Sequence, residues 1–410
     1  MNPPTSLNRP LVGRASLTVD ALRVAAHLPK KPLPARHDGT VTALAYSHDG
    51  KLLATGSHSN SEEYTMSGYH DKLIFIWDAS NAAHIQSFKN TLANYHCAVS
   101  MLAFSPDGKR IASADTRGCI QVWCIRTGIY LKTLVKPKKP TESRAHYAIA
   151  WSADGKWIAS GSDDLGVRLW DAETYEQKMV FEGHQANITF LCFSHNSRWL
   201  ASCAADHCGR IWDVRARAAH AVLRGHSGTL LHADFDADDQ RLVTCSDDGT
   251  ARIWNVQGQR SARVESTDSS NGVKAGDLLV EIHEHHSPVQ TVAFSRDGIP
   301  VLAASSDSID LFDSLTGQHK LALSGHRGEI HAACFSPDGK YVASASSDGT
   351  VRLWRTADGT HLEAFDEHDD EVKLVAFSPN GETLASAADD GTVRIRPMHE
   401  WDPDCIVRRG

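Results

Sequence analysis

The sequence predicts an all-β fold built from eight copies of a unit of about 40 residues. Three observations predict it. Segments that begin at Gly183, Gly225 and Gly325 align with one another, and in each a histidine precedes a phenylalanine by nine residues and a tryptophan ends the segment. Every copy carries two turn signals, and the stretches between them alternate in polarity as strands do. Further copies begin near His37, Tyr95, Glu142, His285 and His368.

One copy, "FSPDGKYVASASSDGTVRLW", illustrates the elements in order. Pro337 presets φ for a tight turn and Gly339 suits a left-handed backbone position, so a hairpin follows the first strand. "YVASAS" is the second strand, and Asp348-Gly349 forms the second hairpin. A third strand ends at the tryptophan, and a fourth apolar segment such as "LALS" precedes each histidine. The unit is therefore a four-stranded antiparallel sheet.

A sheet of this size cannot bury both faces alone, and radial stacking of several sheets solves that problem. The chain resembles the WD-repeat β-propeller family from roughly residue 37 to residue 396. The resemblance rests on repeated Gly-His and Trp-Asp pairs, which include His184, His226, His326, Trp77-Asp78, Trp170-Asp171 and Trp212-Asp213.

The resemblance implies one propeller domain, with eight four-stranded blades and seven as the fallback. The eighth copy stops before a fourth strand, and residues 16–28 contain an orphan strand that would complete it and close the ring. We therefore predict an N-terminal tail at 1–15, the propeller at 16–396 and a C-terminal tail at 397–410.

The family also places a buried hydrogen-bonded set in each blade, which links the repeat histidine, a Ser or Thr, the turn aspartate and the tryptophan. The positions that fit are His37, Thr55, Asp71 and Trp77; His184, Ser202, Asp206 and Trp212; His226, Thr244, Asp248 and Trp254; and His326, Ser344, Asp348 and Trp354. Other copies depart from the pattern, and we expect their blades to be less rigid. The departures are Arg117, Glu142, Ala303, Phe312 and Arg396.

Composition excludes several classes of function. A net charge of -8 disfavours nonspecific attraction to nucleic acid or anionic lipid. Nine cysteines, no signal-peptide pattern and no apolar run long enough for a membrane span indicate a cytoplasmic or nuclear protein without a membrane partner. No phosphate-binding or dinucleotide motif is present in the sequence, so we expect no cofactor.

Two stretches suggest metal binding. "EIHEHHSPVQTVAF" places His283, His285 and His286 around Glu284, but the repeat itself accounts for His285. "CAADHC", which starts at Cys203, also matches a strand of the repeat. Zinc needs further ligands at suitable geometry. We predict no metal site, and a metal-dependent enzyme whose site is assembled from dispersed residues remains an alternative.

"IWDVR", which ends at Arg215, supplies another alternative. It resembles the box through which some WD-repeat proteins dock on the adaptor of cullin-type ubiquitin ligases. The motif is short and overlaps residues that the fold already requires. A substrate receptor of such a ligase is therefore the second functional hypothesis.

One rim of the ring provides the main functional hypothesis. The turn before each repeat histidine and the turn that holds each aspartate lie on the same rim, which in the family is the usual binding surface. Converging acidic side chains there would favour lysine or arginine of a partner. An insertion at 58–70 adds residue types that anchor interfaces, and a second insertion at 136–144 is basic.

We therefore predict a non-catalytic scaffold that binds a protein or peptide, with a basic partner among the candidates, as a monomer or as a component of a larger complex. The predicted contact residues are Tyr64, Met66, Tyr69, His70, Tyr147, Asp163, Leu231, Asp247, Glu329, His331, Glu371, Lys373 and Asp389.

Overall fold

The structure is a computed structural model, and it describes residues 37, 39–58, 74–88, 98–116, 118–135, 148–258, 274–283 and 287–400. The chain divides into two units, Met1–Pro32 and Leu33–Gly410. All of the described residues belong to the second unit, and the following description concerns that unit alone.

The described residues form 31 strands, labelled here in chain order and grouped by sheet. Blade 1 contains β1 (Val41–Tyr46), β2 (Leu52–Ser57), β3 (Ile74–Asp78) and β4 (His84–Phe88). Blade 2 contains β5 (Val99–Phe104), β6 (Arg110–Asp115), β7 (Ile120–Cys124) and β8 (Tyr130–Val135). Blade 3 contains β9 (Ala148–Trp151), β10 (Trp157–Gly161), β11 (Val167–Asp171) and β12 (Gln177–Phe181). Blade 4 contains β13 (Ile188–Phe193), β14 (Trp199–Ala204), β15 (Cys208–Asp213) and β16 (Ala218–Arg224).

The second half of the unit continues the same order. Blade 5 contains β17 (Leu230–Phe235), β18 (Arg241–Ser246), β19 (Ala251–Asn255) and β20 (Leu278–Ile282). Blade 6 contains β21 (Val289–Phe294), β22 (Pro300–Ser305), β23 (Ile309–Asp313) and β24 (His319–Ala322). Blade 7 contains β25 (Ile330–Phe335), β26 (Tyr341–Ser346), β27 (Val351–Arg355) and β28 (His361–Phe365). Blade 8 contains β29 (Val372–Phe377), β30 (Thr383–Ala388) and β31 (Val393–Pro397), and the 3-10 helix Met398–Glu400 follows.

The sheets are antiparallel meanders in which each strand pairs with the next one along the chain. Seven have four strands, and the sheet of blade 8 has three among the described residues. The first strand of each blade contacts the first strand of the next, and β29 contacts β1, so the eight sheets form a ring. The predicted all-β propeller with eight blades, rather than seven, is confirmed.

Local sequence explains each hairpin. In blade 7 the Ser336 hydroxyl donates to Asp338 at 2.6 Å and accepts the backbone N–H of Tyr341 at 2.9 Å. Gly339 occupies the left-handed region with φ of 73°, as the turn requires. These bonds satisfy the turn backbone and fix the pairing of the flanking strands.

Apolar side chains from neighbouring sheets fill the space between blades. Eight clusters of buried residues make up this core, and several of them combine residues from consecutive blades. Blade 8 meets blade 1 in the cluster that includes Leu53, Trp77, Ala385 and Val393. Burial of this kind contributes about 25 cal/mol for each Å² of apolar surface removed from water, so it dominates the stability of the ring.

Ring closure uses contacts between the first and last blades. The Tyr46 hydroxyl lies 3.0 Å from the Thr383 hydroxyl, and the backbone N–H of His37 donates to the Gly391 carbonyl at 3.1 Å. The predicted fourth strand of blade 8, within residues 16–28, lies outside the described residues. The closure seen here therefore runs through β1, β29 and β30.

The end of the last blade extends slightly beyond the predicted domain boundary at residue 396. β31 continues to Pro397, and Met398 is buried in the core cluster that contains Val372 and Leu384. The predicted N-terminal tail at 1–15 and residues 401–410 of the predicted C-terminal tail at 397–410 lie outside the described residues, so the domain boundaries remain predictions. Within the described part of the chain, no helix has the length and apolar character that crossing a membrane would require.

Candidate functional site

A chain of buried polar side chains crosses blade 4 from its third strand to the rim. The Trp212 indole N–H donates to the Ser202 hydroxyl at 2.9 Å, and that hydroxyl lies 2.7 Å from Nε2 of His184. Nδ1 of the same imidazole lies 2.9 Å from the carboxylate of Asp206, which also accepts the backbone N–H of Gln185 at 2.8 Å. A neutral imidazole that carries its proton on Nδ1 lets every donor in this chain meet an acceptor.

Blades 5 and 7 repeat the arrangement with similar distances. In blade 5, His226 lies 2.9 Å from Thr244 and 3.0 Å from Asp248, and in blade 7, His326 lies 2.7 Å from Ser344 and 3.0 Å from Asp348. The indoles of Trp254 and Trp354 donate to the respective hydroxyls at 2.8 Å and 3.0 Å. In blade 1, Trp77 and His37 both bind the Thr55 hydroxyl, at 2.9 Å and 2.8 Å, whereas Asp71 lies outside the described residues.

Burial and hydrogen bonding shift the pKa values of these groups. Burial lowers the pKa of His226, and the neighbouring Asp248 only partly opposes this. Burial alone would raise the pKa of Asp248, but hydrogen bonds from Thr250 and the backbone of Ser227, together with His226, hold it well below its ordinary value. The pKa values of His184, His326 and His368 are lowered by burial in the same way.

These shifts predict that acid destabilises the fold. Because the folded histidines resist protonation, the unfolded chain binds more protons below its histidine pKa of about 6.5, so the free energy of unfolding falls as the pH falls. Each histidine that stays neutral contributes at most about 1.4 kcal/mol per pH unit. The aspartates extend the loss below pH 4, since their pKa values are also lowered. Urea unfolding at constant ionic strength should show a lower midpoint at pH 5 than at pH 7.5, and a flat or rising midpoint would contradict this.

Blade 8 completes its polar chain with an arginine in place of tryptophan. Nη1 of Arg396 donates to the Ser386 hydroxyl at 2.8 Å, and the same hydroxyl lies 2.8 Å from Nε2 of His368. The guanidinium lies 4.7 Å from the ring of Phe365 and 3.3 Å from the Glu367 carboxylate. Arg396 thus supplies the hydrogen bond of the missing indole, and the expected loss of rigidity in this blade stays a prediction.

The other departing blades keep only part of the chain. In blades 2 and 3 the indoles of Trp123 and Trp170 donate to Ser113 and Ser160 at 3.2 Å and 2.8 Å. The residues Arg117 and Glu142 lie outside the described part. In blade 6, Ala303 pairs with Val292 in the sheet and Phe312 is fully buried, so apolar packing stands where the other blades have polar groups.

Sequence reasoning missed a buried ion pair in blade 5 whose arginine also bonds to blade 6. Arg241 is fully buried, and its Nε donates to the Asp236 carboxylate at 2.9 Å. Its other nitrogens reach across to blade 6 and donate to the Gly298 carbonyl at 2.7 Å and the Ser314 hydroxyl at 3.0 Å. The sequence "FDADDQR" carries a signal for this pair. Asp236 stands where blade 7 has the turn serine Ser336, and Arg241 stands five positions later, where blade 7 has Tyr341.

Several predicted contact residues lie along one rim, at the mouth of the ring. Asp163, Asp247 and Glu329 are exposed, and Leu231 is half-buried. We call these three carboxylates, together with Glu371 and Asp389, the acidic rim. The remaining predicted residues Tyr64, Met66, Tyr69, His70 and Tyr147 lie outside the described residues.

Four of the predicted rim residues meet where blades 7 and 8 adjoin. The Lys373 ammonium contacts the Glu371 carboxylate and lies 3.6 Å from that of Asp389. His331 of blade 7 lies 3.3 Å from Glu371 and 3.1 Å from the Lys373 ammonium. Lys373, the basic member of the predicted set, is therefore already paired with two carboxylates.

The carboxylates of this group repel one another. Burial raises the pKa of Asp389, and the charges of Glu371 and Asp370 raise it further against the opposing effect of Lys373. One carboxylate oxygen of Asp389 is buried and has no hydrogen-bond partner among the described residues. An additional cation at this point would relieve the repulsion.

The described residues of the two candidate metal-binding stretches contact other protein groups. Across the described ranges, no group of three or more His, Cys, Asp or Glu side chains could hold a metal ion. His283 lies 3.1 Å from Glu281 on the surface, whereas Glu284, His285 and His286 are outside the described residues. Cys203 is buried against the His232 carbonyl, and burial raises its pKa to about 12.

The residue behind the ligase hypothesis, Arg215, is exposed between β15 and β16. The preceding Asp213 accepts the backbone N–H of Ala216 at 2.7 Å and lies 3.4 Å from Arg198. Asp213 therefore has a structural role in the turn, and Arg215 is presented to solvent.

Comparison with solved structures identifies the architecture. The crystal structure of the computationally designed Ika8 protein matches with a TM-score of 0.69 and 24% sequence identity, over 90% of this chain and 100% of that one. At this identity the similarity concerns the fold alone.

Relatives of known sequence cover short parts of the chain. WD repeat-containing protein 26 homolog from Arabidopsis thaliana is 27% identical over 146 residues, which are 35% of this chain and 21% of that protein. WD repeat-containing protein 1 from Xenopus tropicalis is 38% identical over 88 residues, 20% of this chain and 14% of that protein. Autophagy-related protein 16 from Arabidopsis thaliana is 26% identical over 161 residues, 38% of this chain and 27% of that protein. The chain thus spans less than a third of each of these proteins.

The family model described as "WD domain, G-beta repeat" matches seven segments of the chain. They are residues 31–78, 86–124, 139–171, 175–213, 219–255, 317–355 and 359–396. Strands β21, β22 and β23 of blade 6 lie between the fifth and sixth of these, where Ala303 and Phe312 replace the polar pattern. The matches extend over more than half of the sequence, and the chain belongs to the WD domain, G-beta repeat family of protein-interaction scaffolds.

Proposed function

We propose that the chain is a non-catalytic scaffold whose acidic rim binds a basic segment of a partner protein. The group around Asp389 carries this proposal. Its carboxylates outnumber the Lys373 charge that they surround, and Asp389 has a raised pKa because of burial and its acidic neighbours. A lysine or arginine of a partner would reduce this repulsion.

The exposed members of the rim extend the same charge around the mouth. Asp163 of blade 3 and Asp247 of blade 5 stand at equivalent places in the turn between the second and third strands. Glu329 of blade 7 lies in the adjacent turn before the first strand, with Arg327 as an exposed cation near it. Charges arranged on a rigid ring require no reordering when a partner binds, which favours both the rate and the specificity of association.

The relatives support scaffolding in general rather than one pathway. The matched proteins carry names as different as autophagy-related protein 16 and apoptotic protease-activating factor 1, and each is matched over a small part of its length. Their shared feature is the repeat itself. We therefore identify the partner of this chain by its chemistry, as a protein or peptide with exposed lysine or arginine.

Affinity capture from the native cell with quantitative mass spectrometry tests the proposal. The rim variant combines Asp163→Lys, Asp247→Lys and Asp389→Lys. The control variant combines Glu173→Lys, Asp238→Lys and Glu382→Lys, which make the same charge change in the same three blades at turns on the opposite rim. We expect the rim variant to lose its partners by at least about tenfold, because like charges would then face a basic segment, whereas the control variant keeps them.

Thermal unfolding of both variants provides the stability control. The control variant should unfold within a few degrees of the unmodified chain, since its substitutions lie at exposed turns. The rim variant also replaces the half-buried Asp389, so it should stay fully folded at the temperature of the capture experiment. Retained capture by the rim variant, or equal loss by both variants, would contradict the proposal.

A further inference from the structure

The outermost strands of blades 1 and 2 expose more apolar surface than those of blades 3 and 6. Ile129 is 60% exposed, Leu131 39% and Tyr130 37%, and Ile85 of blade 1 is 48% exposed. Exposed apolar side chains on an outer strand are a liability in a soluble protein unless something covers them. This group is called here the blade 2 edge, with Ile85 as its extension onto blade 1.

The same position differs between blades. Ile85 and Leu131 are the bulged residues of β4 and β8, which stand opposite no residue of the third strand. In blades 3 and 6 the equivalent bulged residues are Lys178 and Lys320. The fold therefore accepts lysine at this place, and strand pairing does not require an apolar side chain in blades 1 and 2.

Contacts between the two blades bring these residues side by side. The Gln86 amide of β4 lies against Gly128, directly before Ile129. Beneath this contact, Phe88 stacks on Trp123 with ring centroids 5.5 Å apart. Tyr130 packs edge-on against the same Trp123 at 5.6 Å. The apolar edge thus stands on a rigid, buried base.

The sequence that contains β8 is basic in an otherwise acidic chain. Residues 116–141 contain no aspartate or glutamate, and they hold the basic residues Arg117, Arg126, Lys132, Lys136, Lys138 and Lys139. Arg126 and Lys132 are exposed at either end of the apolar residues. Among the described residues, neither of them has a carboxylate partner. Other outer strands bring acids near their lysines, as Glu176 lies 2.6 Å from Lys178.

We propose that the blade 2 edge is a second docking surface, which binds an acidic segment with apolar side chains from a partner protein. Arg126 and Lys132 attract the acidic groups, and burial of Ile129 and Leu131 supplies the affinity. A nucleic acid would satisfy the charges, but its phosphate backbone would leave the apolar side chains uncovered. The chemistry is opposite in sign to that of the acidic rim, so this surface is independent of the proposed function.

Fluorescence anisotropy with defined probes tests the surface on the full chain. The first probe is a labelled 16-residue peptide of alternating leucine and glutamate. The second replaces leucine with serine at the same net charge, and the third is a 20-nucleotide oligouridylate. We expect the leucine peptide to bind at least about tenfold more tightly than either of the others, because they lack apolar side chains.

Two variants locate the binding. Ile129→Thr with Leu131→Thr removes the apolar contact, and Arg126→Glu with Lys132→Glu reverses the charge; each should weaken the leucine peptide by about tenfold or more. The matched controls should change binding less than about twofold. They are Leu278→Thr, since Leu278 is 41% exposed on β20, and Arg215→Glu, which occupies the position of Arg126 in blade 4.

The outcomes separate the hypotheses. Binding that survives both edge variants, or that falls equally in the controls, would overturn the assignment. Equal binding of the serine peptide would also overturn it, since charge alone would then suffice. Tighter binding of the oligouridylate, lost in the charge variant, would assign the surface to nucleic acid instead.

Discussion

Replacing Arg241 with methionine should lower the free energy of unfolding by about 3–5 kcal/mol. The guanidinium is fully buried and bonds to Asp236 within blade 5 and to Gly298 and Ser314 in blade 6. Methionine fills a similar volume but leaves the buried Asp236 carboxylate without its cation. It also removes the hydrogen bonds that Arg241 donates to the Gly298 carbonyl and the Ser314 hydroxyl of blade 6, so the contact between the two blades weakens. Urea unfolding of the full chain measures the change.

A paired replacement provides the control. Asp236→Ser with Arg241→Tyr restores the residues that blade 7 uses at these positions, Ser336 and Tyr341. Because both buried charges are then removed together, we expect the double variant to recover more than half of the loss. A loss below about 1 kcal/mol in the single variant, or no recovery in the double variant, would contradict a structural role for the pair.

Replacing Arg396 with tryptophan should instead stabilise the chain, by about 1–4 kcal/mol. The site is already shaped for an indole, because Phe365 lies under the guanidinium as Phe181 lies under Trp212, whose rings are 5.0 Å apart. An indole N–H would keep the hydrogen bond to Ser386. Burial lowers the pKa of Arg396 to about 10, which indicates that its charge is held at a cost. The Glu367 carboxylate is partly exposed and would remain hydrated.

An Arg396→Leu variant separates two contributions to stability, the hydrogen bond to Ser386 and the removal of the buried charge. Leucine removes the buried charge but leaves the Ser386 hydroxyl with one donor fewer, so we expect it to be less stable than the tryptophan variant by about 1–3 kcal/mol. Thermal and urea unfolding of both variants decide the matter. A tryptophan variant less stable than the unmodified chain would show that the arginine, rather than its donor function, is required.

The repeat made most of the fold predictable. Turn residues such as Pro337 and Gly339 recur at fixed distances from the histidines, so eight sheets could be counted without any structure. Blade 6 was predictable for the same reason, although Ala303 and Phe312 remove its polar chain. The turn signals and apolar alternation persist there because they satisfy local backbone geometry, which does not depend on the buried polar set.

Buried arginines were harder to predict. A repeat pattern treats Arg241 as an irregular turn residue and Arg396 as a defect, because the pattern compares positions within one blade. Their partners Gly298, Ser314 and Phe365 belong to neighbouring blades, and contacts of this kind become visible only when the sheets are stacked.

The sequence predicts the turn positions of the acidic rim residues, but it does not predict their ion pairs. The sequence locates Glu371, Lys373 and Asp389 on one rim, since the turn positions follow from the repeat. It does not indicate that Lys373 is already paired with both carboxylates or that His331 of the adjoining blade joins them. Those contacts depend on side-chain directions across two blades.

Hydrogen exchange of the chain, alone and with the most abundant captured partner, tests the central claim most directly. The acidic rim proposal predicts slower backbone exchange at residues 329–331, 371–373 and 389 in the complex, and weaker protection at higher salt. Protection confined to the opposite rim or to the outer strands, with these residues unchanged, would contradict it.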